Sequence, residues 1–192
     1  MRAYKGFNKK LQCTRGRNTF TYEQGKTYQE PSSKTASSGF HCAEYLPDCF
    51  KFYPPDGKNR FFVVEAGGSI DEESSDSKIA CTEITLIKEL SRKQMAIACM
   101  IYMVKHPKRD WETSGHGYCI GKNKAETSGG IAIARGAEPQ TKGGKGSIIG
   151  LILEKDGQII QAKAEEVDGA LIRPDTWYTI TRGGRICEIQ SN

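Results

Sequence analysis

Between Ser114 and Asp156 three short apolar runs follow one another: Tyr118-Cys119-Ile120, Ile131-Ala132-Ile133-Ala134 and Ser147-Ile148-Ile149. Glycines set off each of them, as the pairs Gly117/Gly121, Gly130/Gly136 and Gly146/Gly150. Ile120, Ile133 and Ile148 recur at intervals of 13 and 15 residues. Runs this short cannot make helices, and glycine every few residues would weaken a helix further. The pattern predicts short parallel strands stacked as coils of a solenoid, with glycine where the backbone turns sharply. A stack of so few coils has open ends that need cover. That need points to assembly or binding more readily than to catalysis.

The rest of the chain reads as β structure around one helix. Strands are predicted at Arg2–Phe7, Thr19–Tyr22, Arg60–Ala66 and Ile79–Leu90, from runs rich in aromatic and β-branched residues. Pro47 suits the first turn of a short helix, Pro54-Pro55-Asp56-Gly57 makes a turn, Gly67-Gly68 ends the third strand, and Asp71–Asp76 is a solvated acidic loop. Ser91 and Gln94 have the spacing of a capping box before a helix over 92–105, which Pro107 stops. Its segment Met95–Val104 is apolar on nearly every face, so the helix is expected to be buried against the first domain's sheet. Ala137–Gly144 reads as a polar excursion between the second and third coils. Further strands follow at 150–154, 159–165, 177–181 and 185–189, with hairpin turns at Asp156-Gly157 and Gly183-Gly184. The expected fold is α+β: a β-rich N-terminal domain over 1–107 with one buried helix, then a short glycine-rich β-solenoid or β-roll with a β cap over 114–192.

Composition narrows the functional classes. At 192 residues the chain can bury a real core. Its longest apolar run is too short to span a bilayer, and no signal peptide is visible, so a cytoplasmic site of action and no membrane partner are expected. Seven cysteines at irregular spacings and three histidines, His41, His106 and His116, fit neither a disulfide framework nor zinc-ligand spacing. Reduced core thiols and no metal are the expectation. The net charge of +5 is divided unevenly, +6 over residues 1–60, −5 over 61–90, +6 over 91–145 and −2 over 146–192. The two basic regions supply candidate partner-binding residues: Lys9, Lys10, Arg15, Arg17, Lys108, Arg109, Lys122, Lys124, Lys142 and Lys145. An acidic protein face is favoured over nucleic acid, because no aromatic-rich basic motif accompanies them.

The segments Ala3-Tyr4-Lys5-Gly6-Phe7-Asn8, Gly39-Phe40-His41-Cys42-Ala43-Glu44 and Phe50-Lys51-Phe52-Tyr53 resemble a family of uncharacterised proteins common in bacteriophages and prophages. The ending Val167-Asp168-Gly169 through Pro174-Asp175-Thr176-Trp177-Tyr178 is similar to that family's C-terminal signature. The family's middle repeats look like the β-roll of trimeric adhesin heads, cut here to three coils. The resemblance implies a phage-encoded accessory protein in the host cytoplasm and no established activity.

Tyr4, Tyr28, His41 and then Glu83 or Glu89 follow the motif order of ADP-ribosyltransferase-like folds, which implies NAD as the cofactor of an alternative, enzymatic reading. The favoured reading is that these residues pack or are solvated, with no catalytic residue and no cofactor. Neighbouring His41 and Cys42 on one strand point to opposite faces and cannot act together. Gly143-Gly144-Lys145-Gly146-Ser147 lacks the spacing of a phosphate loop and is followed by a strand. The expected function is therefore protein binding. It would inhibit a host antiviral defence complex in the manner of an anti-CRISPR, with self-association through the solenoid. The other alternative is a structural virion component.

Overall fold

In the computed structural model, residues 1–15, 18–72 and 76–190 are described, and the chain divides into two units, Met1–Leu90 and Ser91–Asn192. The first contains β1 (Arg2–Asn8), β2 (Gln12–Arg15), β3 (Asn18–Thr21), β4 (Thr27–Gln29), β5 (Phe40–Ala43), α1 (Pro47–Phe50), β6 (Asn59–Glu72) and β7 (Lys78–Glu89). β1 pairs with β6 along its length, β6 with β7, β7 with β5, and β5 returns to β1 through Tyr4 and Ala43. These four strands close into a small barrel. β4 extends the line of β5 along β7, and β2 and β3 form a separate hairpin.

Period-two alternation decides what the barrel encloses. Ala3, Phe7, Phe62, Val64, Ala66, Ile79, Cys81, Ile84 and Leu86 are buried in one cluster, with Tyr22, Phe40 and Cys42. Phe20 and Tyr22 meet edge to face at 4.6 Å, and Phe7 and Tyr22 at 5.0 Å.

Two sequence expectations are corrected in this unit. β6 does not end at Gly67-Gly68 but runs on to Glu72, through a register shift between Gly67 and Ile70. The glycine pair is thus a bulge that lets a long strand bend around the barrel. Asp71, expected in a solvated loop, lies in β6 and accepts hydrogen bonds from the Thr35 N–H (2.7 Å) and hydroxyl (2.8 Å). Residues 73–75 of that expected loop lie outside the described residues.

The second unit begins at the predicted helix, α2 (Arg92–Lys105). Ser91 caps it by accepting from the Gln94 N–H, while the Gln94 side chain accepts from the Ser91 N–H, so the capping box forms. After α2 come β8 (Thr113–Gly115), β9 (Tyr118–Thr127), β10 (Ile131–Gly143), β11 (Ile148–Lys155), β12 (Gln158–Glu166), β13 (Tyr178–Ile180) and β14 (Ile186–Glu188). α2 packs on β10, β11 and β12. The helix expected in the first domain thus belongs to the second unit, and the division falls after Leu90 rather than after residue 107. Nor is the helix buried all round. Met95, Ala96, Cys99, Met100 and Met103 face inward, while Ile97, Ile101 and Val104 are exposed. Ala98 and Tyr102 are buried as well, so among the described residues the helix leaves one stripe uncovered.

The three glycine-bounded runs pair in parallel: Tyr118, Ile131 and Ile148 stand side by side, as do Ile120, Ile133 and Gly150. The second step is therefore 17 residues, not 15, and Ile148 does not align with Ile133. The reason lies at Gly150, where a Cβ would come within 2.9 Å of Ile133 and 3.0 Å of Met100. The sheet needs a glycine there because α2 crosses it. Nor is Ala137–Gly144 an excursion. Gln140–Gly143 pair with Lys124–Thr127 after a register shift at Arg135, so β9 and β10 bend together and continue. β12 then returns antiparallel to β11 through Asp156-Gly157, both at positive φ. The result is a mixed seven-stranded sheet.

Arg135 fixes this unit internally. Its nearly buried guanidinium donates to Glu154 (2.7 Å) and to the carbonyls of Met103 (3.3 Å) and Pro107 (3.2 Å), tying the end of α2 to β10 and β11. All seven cysteines are free thiols, four of them buried. Among the described residues, no helix is long and apolar enough to cross a membrane.

Candidate functional site

The residues of the enzymatic reading do not converge. Tyr28 lies opposite Ile84 and packs among Phe20, Tyr22 and Phe40. Glu83, one residue along from Ile84, points to the other face of β7, where the Gln29 amide donates to it at 2.9 Å. Glu89 is six residues further along the strand, roughly 20 Å away, and accepts two hydrogen bonds from Arg60 (2.7 and 2.6 Å). The Arg60 hydrogen bond holds its carboxyl below the usual range. Tyr4 and Lys5 project to opposite sides of β1, and His41 points away from the core that holds Cys42.

The basic candidates are scattered. Lys9 and Lys10 are exposed in the turn after β1, and Arg15 lies in β2. Arg17 lies outside the described residues. Lys108 is exposed, whereas Arg109 donates to the Tyr102 hydroxyl at 2.6 Å. Lys122 and Lys124 follow one another on β9. Lys124 and Lys142 are brought together over the Trp177 ring, at 4.3 and 5.0 Å from its centroid, and Lys142 also pairs with Glu126 at 2.7 Å. Lys145 is exposed in the turn before β11. Trp177 thus gathers two of the expected partner-binding lysines.

Two surfaces are built more fully. The first is an opening in the wall of the barrel. β1 and β5 pair only at Tyr4 and Ala43, and beyond that pair they part to leave a cleft of about 630 Å³. Lys5, only 7% exposed, reaches across it and donates to the His41 carbonyl at 2.6 Å. Its ammonium also lies 5.6 Å from the ring centroids of both Phe7 and Tyr22. Cys42 and Cys49 line the same cleft. The hydrogen bond with Cys81, and burial with it, holds the Cys42 thiol well above the ordinary range. Burial pushes Cys49 up to about 12. Both are neutral at physiological pH and are not thiolate nucleophiles.

The second surface is a groove of about 440 Å³ between α2 and β12, lined by Ile97, Met100, Ile101, Val104, Ala162 and Ala164. Ile97, Ile101 and Val104, spaced by four and three residues, form one stripe and are 40, 48 and 45% exposed. β12 pairs with β11 on one side, and among the described strands nothing pairs with its other side. Lys105 and Lys163 flank the groove. Among the described residues, no three of His, Cys, Asp and Glu are grouped to hold a metal ion.

Sequence reasoning missed both surfaces. Lys5 shares the inward parity of Ala3 and Phe7 on β1, which was the available signal. The α2 stripe was hidden because apolar residues on every side look the same whether one face or all are covered.

Residues 1–98, just over half of the chain, match the family model described as Domain of unknown function (DUF7666). Nothing matches the chain among curated proteins or among solved structures.

Proposed function

This chain belongs to the family Domain of unknown function (DUF7666), and on that premise we propose that it acts by binding an extended segment of another protein. One observation carries the proposal: the exposed stripe Ile97, Ile101, Val104 lies beside the unpaired edge of β12. A strand adding to that edge gains main-chain hydrogen bonds, and its alternate side chains enter the groove. The amphipathic lining rewards apolar residues at those positions. Lys105 and Lys163 favour acidic residues at the segment's flanks, in keeping with a basic protein that meets an acidic protein face.

In this reading β9, β10 and β11 are a short β-solenoid whose side is closed by β12, and the open edge supplies the binding surface. The resemblance to phage and prophage proteins supports a partner in the host cytoplasm, and a host defence complex fits that setting. Self-association through the same edge is the alternative occupant.

A photo-crosslinking residue at position 101, with one at Lys9 as control, tests the proposal in host lysate. The expected product is a discrete crosslink at 101 that maps to an extended, acidic-flanked segment. A synthetic peptide of that segment should then bind the purified protein, and Ile101→Asp should weaken it at least about tenfold. Crosslinks joining two copies of this chain, with concentration-dependent sedimentation abolished by Ile101→Asp, would replace the foreign partner with a second copy. No crosslink specific to 101 would end the proposal.

A further inference from the structure

We infer that the β1–β5 opening of the N-terminal barrel binds a small monocarboxylate with an apolar body, its carboxylate seated on the Lys5 ammonium. A lysine that faces a strand's interior normally extends its stem and leaves its charge in water. Lys5 cannot, because its head group is enclosed by Phe7, Tyr22 and the His41 carbonyl. Among the described residues it has no carboxylate partner. An ammonium carries three N–H donors, and the His41 carbonyl takes one of them. Burying a charge without a counter-charge is strongly unfavourable. The neutral thiols of Cys42 and Cys49 do not supply one.

Asp48 lines the same cleft, but its oxygens are engaged elsewhere. One accepts from the Ser77 hydroxyl (2.6 Å) and N–H (3.1 Å), and the other from Lys51 (3.1 Å). The other cation on the lining, Lys78, is paired with Asp76 at 3.1 Å. The cleft therefore offers one uncompensated positive charge at depth.

That arithmetic selects the ligand. A single ammonium matches one negative charge, whereas a phosphate dianion would bring a second charge into a cleft that already holds the Asp48 carboxylate. Among the described residues of the lining no arginine offers a guanidinium fork, which points the same way, since bidentate phosphate recognition falls to arginine. Around the cation the lining is largely apolar, with Phe40, Phe52 and Tyr53 available to cover a ring or a short alkyl chain. The volume, about 630 Å³, lies within the range of small-molecule sites. The cleft is open because β1 and β5 separate after a single pair, so access needs no unfolding.

The test uses the full-length protein with sodium benzoate and sodium hexanoate as probes, and inorganic phosphate and benzyl alcohol as controls, read by calorimetry or by amide shifts in NMR. The two carboxylates should bind saturably while phosphate and benzyl alcohol do not. Lys5→Met, which keeps the stem and removes the charge, should weaken benzoate at least tenfold, and Lys5→Arg should retain part of the binding. Mass-spectrometric mapping of reductive methylation on the wild-type protein gives a second reading should Lys5→Met fail to fold. Benzoate should slow modification of Lys5 and leave Lys9 unaffected. The inference is overturned if neither carboxylate saturates, if phosphate binds as tightly as benzoate, if Lys5→Met binds benzoate unchanged, or if benzoate leaves the methylation of Lys5 unaltered.

Discussion

Cys49 shows what enclosure does to a single group in this protein. Its thiol donates to the Tyr4 carbonyl at 3.4 Å beneath β1, and burial raises it from 9.0 to about 12. A thiol whose folded value lies above its unfolded value favours the native state while both states stay protonated. That contribution is complete below about pH 9 and is lost as pH rises toward 12, by about 1.4 kcal/mol per pH unit. Wild type and Cys49→Ala should therefore differ more in urea-unfolding free energy at pH 7.5 than at pH 10. The gap should shrink by about 1.4 kcal/mol, and an unchanged gap would remove the thiol from the account. At this scale the sequence was legible wherever parity was followed. Ala3, Lys5 and Phe7 share one side of β1, and Tyr28 and Glu83 fall on opposite faces of paired strands. The order of Tyr4, Tyr28, His41 and Glu83 along the chain misled, because motif order carries no information about which face a residue takes. Lys5 escaped notice because lysine at an inward position looks like an exception until the strand beside it parts.

Single elements were the most legible part of the chain, and their packing partners the least. The Ser91–Gln94 cap formed because its hydrogen bonds are local. The parallel pairing of the three glycine-bounded runs formed because short apolar runs need neighbours. The 17-residue step was hidden, since it depends on Met100 of α2 lying over Gly150. Gly130 tests how much of the stack rests on missing side chains. It has φ +116°, it lies beside Gly117 of the turn before β9, and a Cβ would lie 1.9 Å from the Gly117 carbonyl oxygen. Gly130 also accepts the Ile148 N–H at 2.8 Å, so displacing it disturbs two strand pairings at once. Gly130→Ala should lower stability by about 2–4 kcal/mol. Gly129→Ala is the matched control, because a Cβ there meets nothing within 4 Å, and it should stay within about 0.5 kcal/mol of wild type. Equal unfolding midpoints for the two variants would mean that the close approach at Gly130 relaxes freely.

Over the whole molecule, closure was the feature that sequence patterning left out. A barrel in which β1 pairs with β6 on one side and β5 on the other joins segments far apart in the chain, and alternation within each segment is the same for an open sheet. The same blindness to long-range pairing placed α2 with the wrong unit, since nothing local distinguishes a helix lying on a preceding sheet from one lying on a following sheet. The division after Leu90 has a consequence for where the chain can be cut. Every strand of the barrel lies within 1–90, and the sheet under α2 lies wholly within 91–192. A fragment of residues 1–90 should therefore keep its β-type circular dichroism and elute as a monomer, and so should 91–192. The family match ends at residue 98, inside the helix. A fragment of 1–98 would carry Met95, Ala96 and Ala98, buried in the intact chain, without the sheet that covers them. It should aggregate or elute as an oligomer, and adding the fragment 91–192 should not rescue it, because that fragment already has its own copy of the helix. If 1–98 is monomeric and melts higher than 1–90, then the first turns of α2 stabilise the barrel, and the helix is shared between the two units instead of belonging to the second.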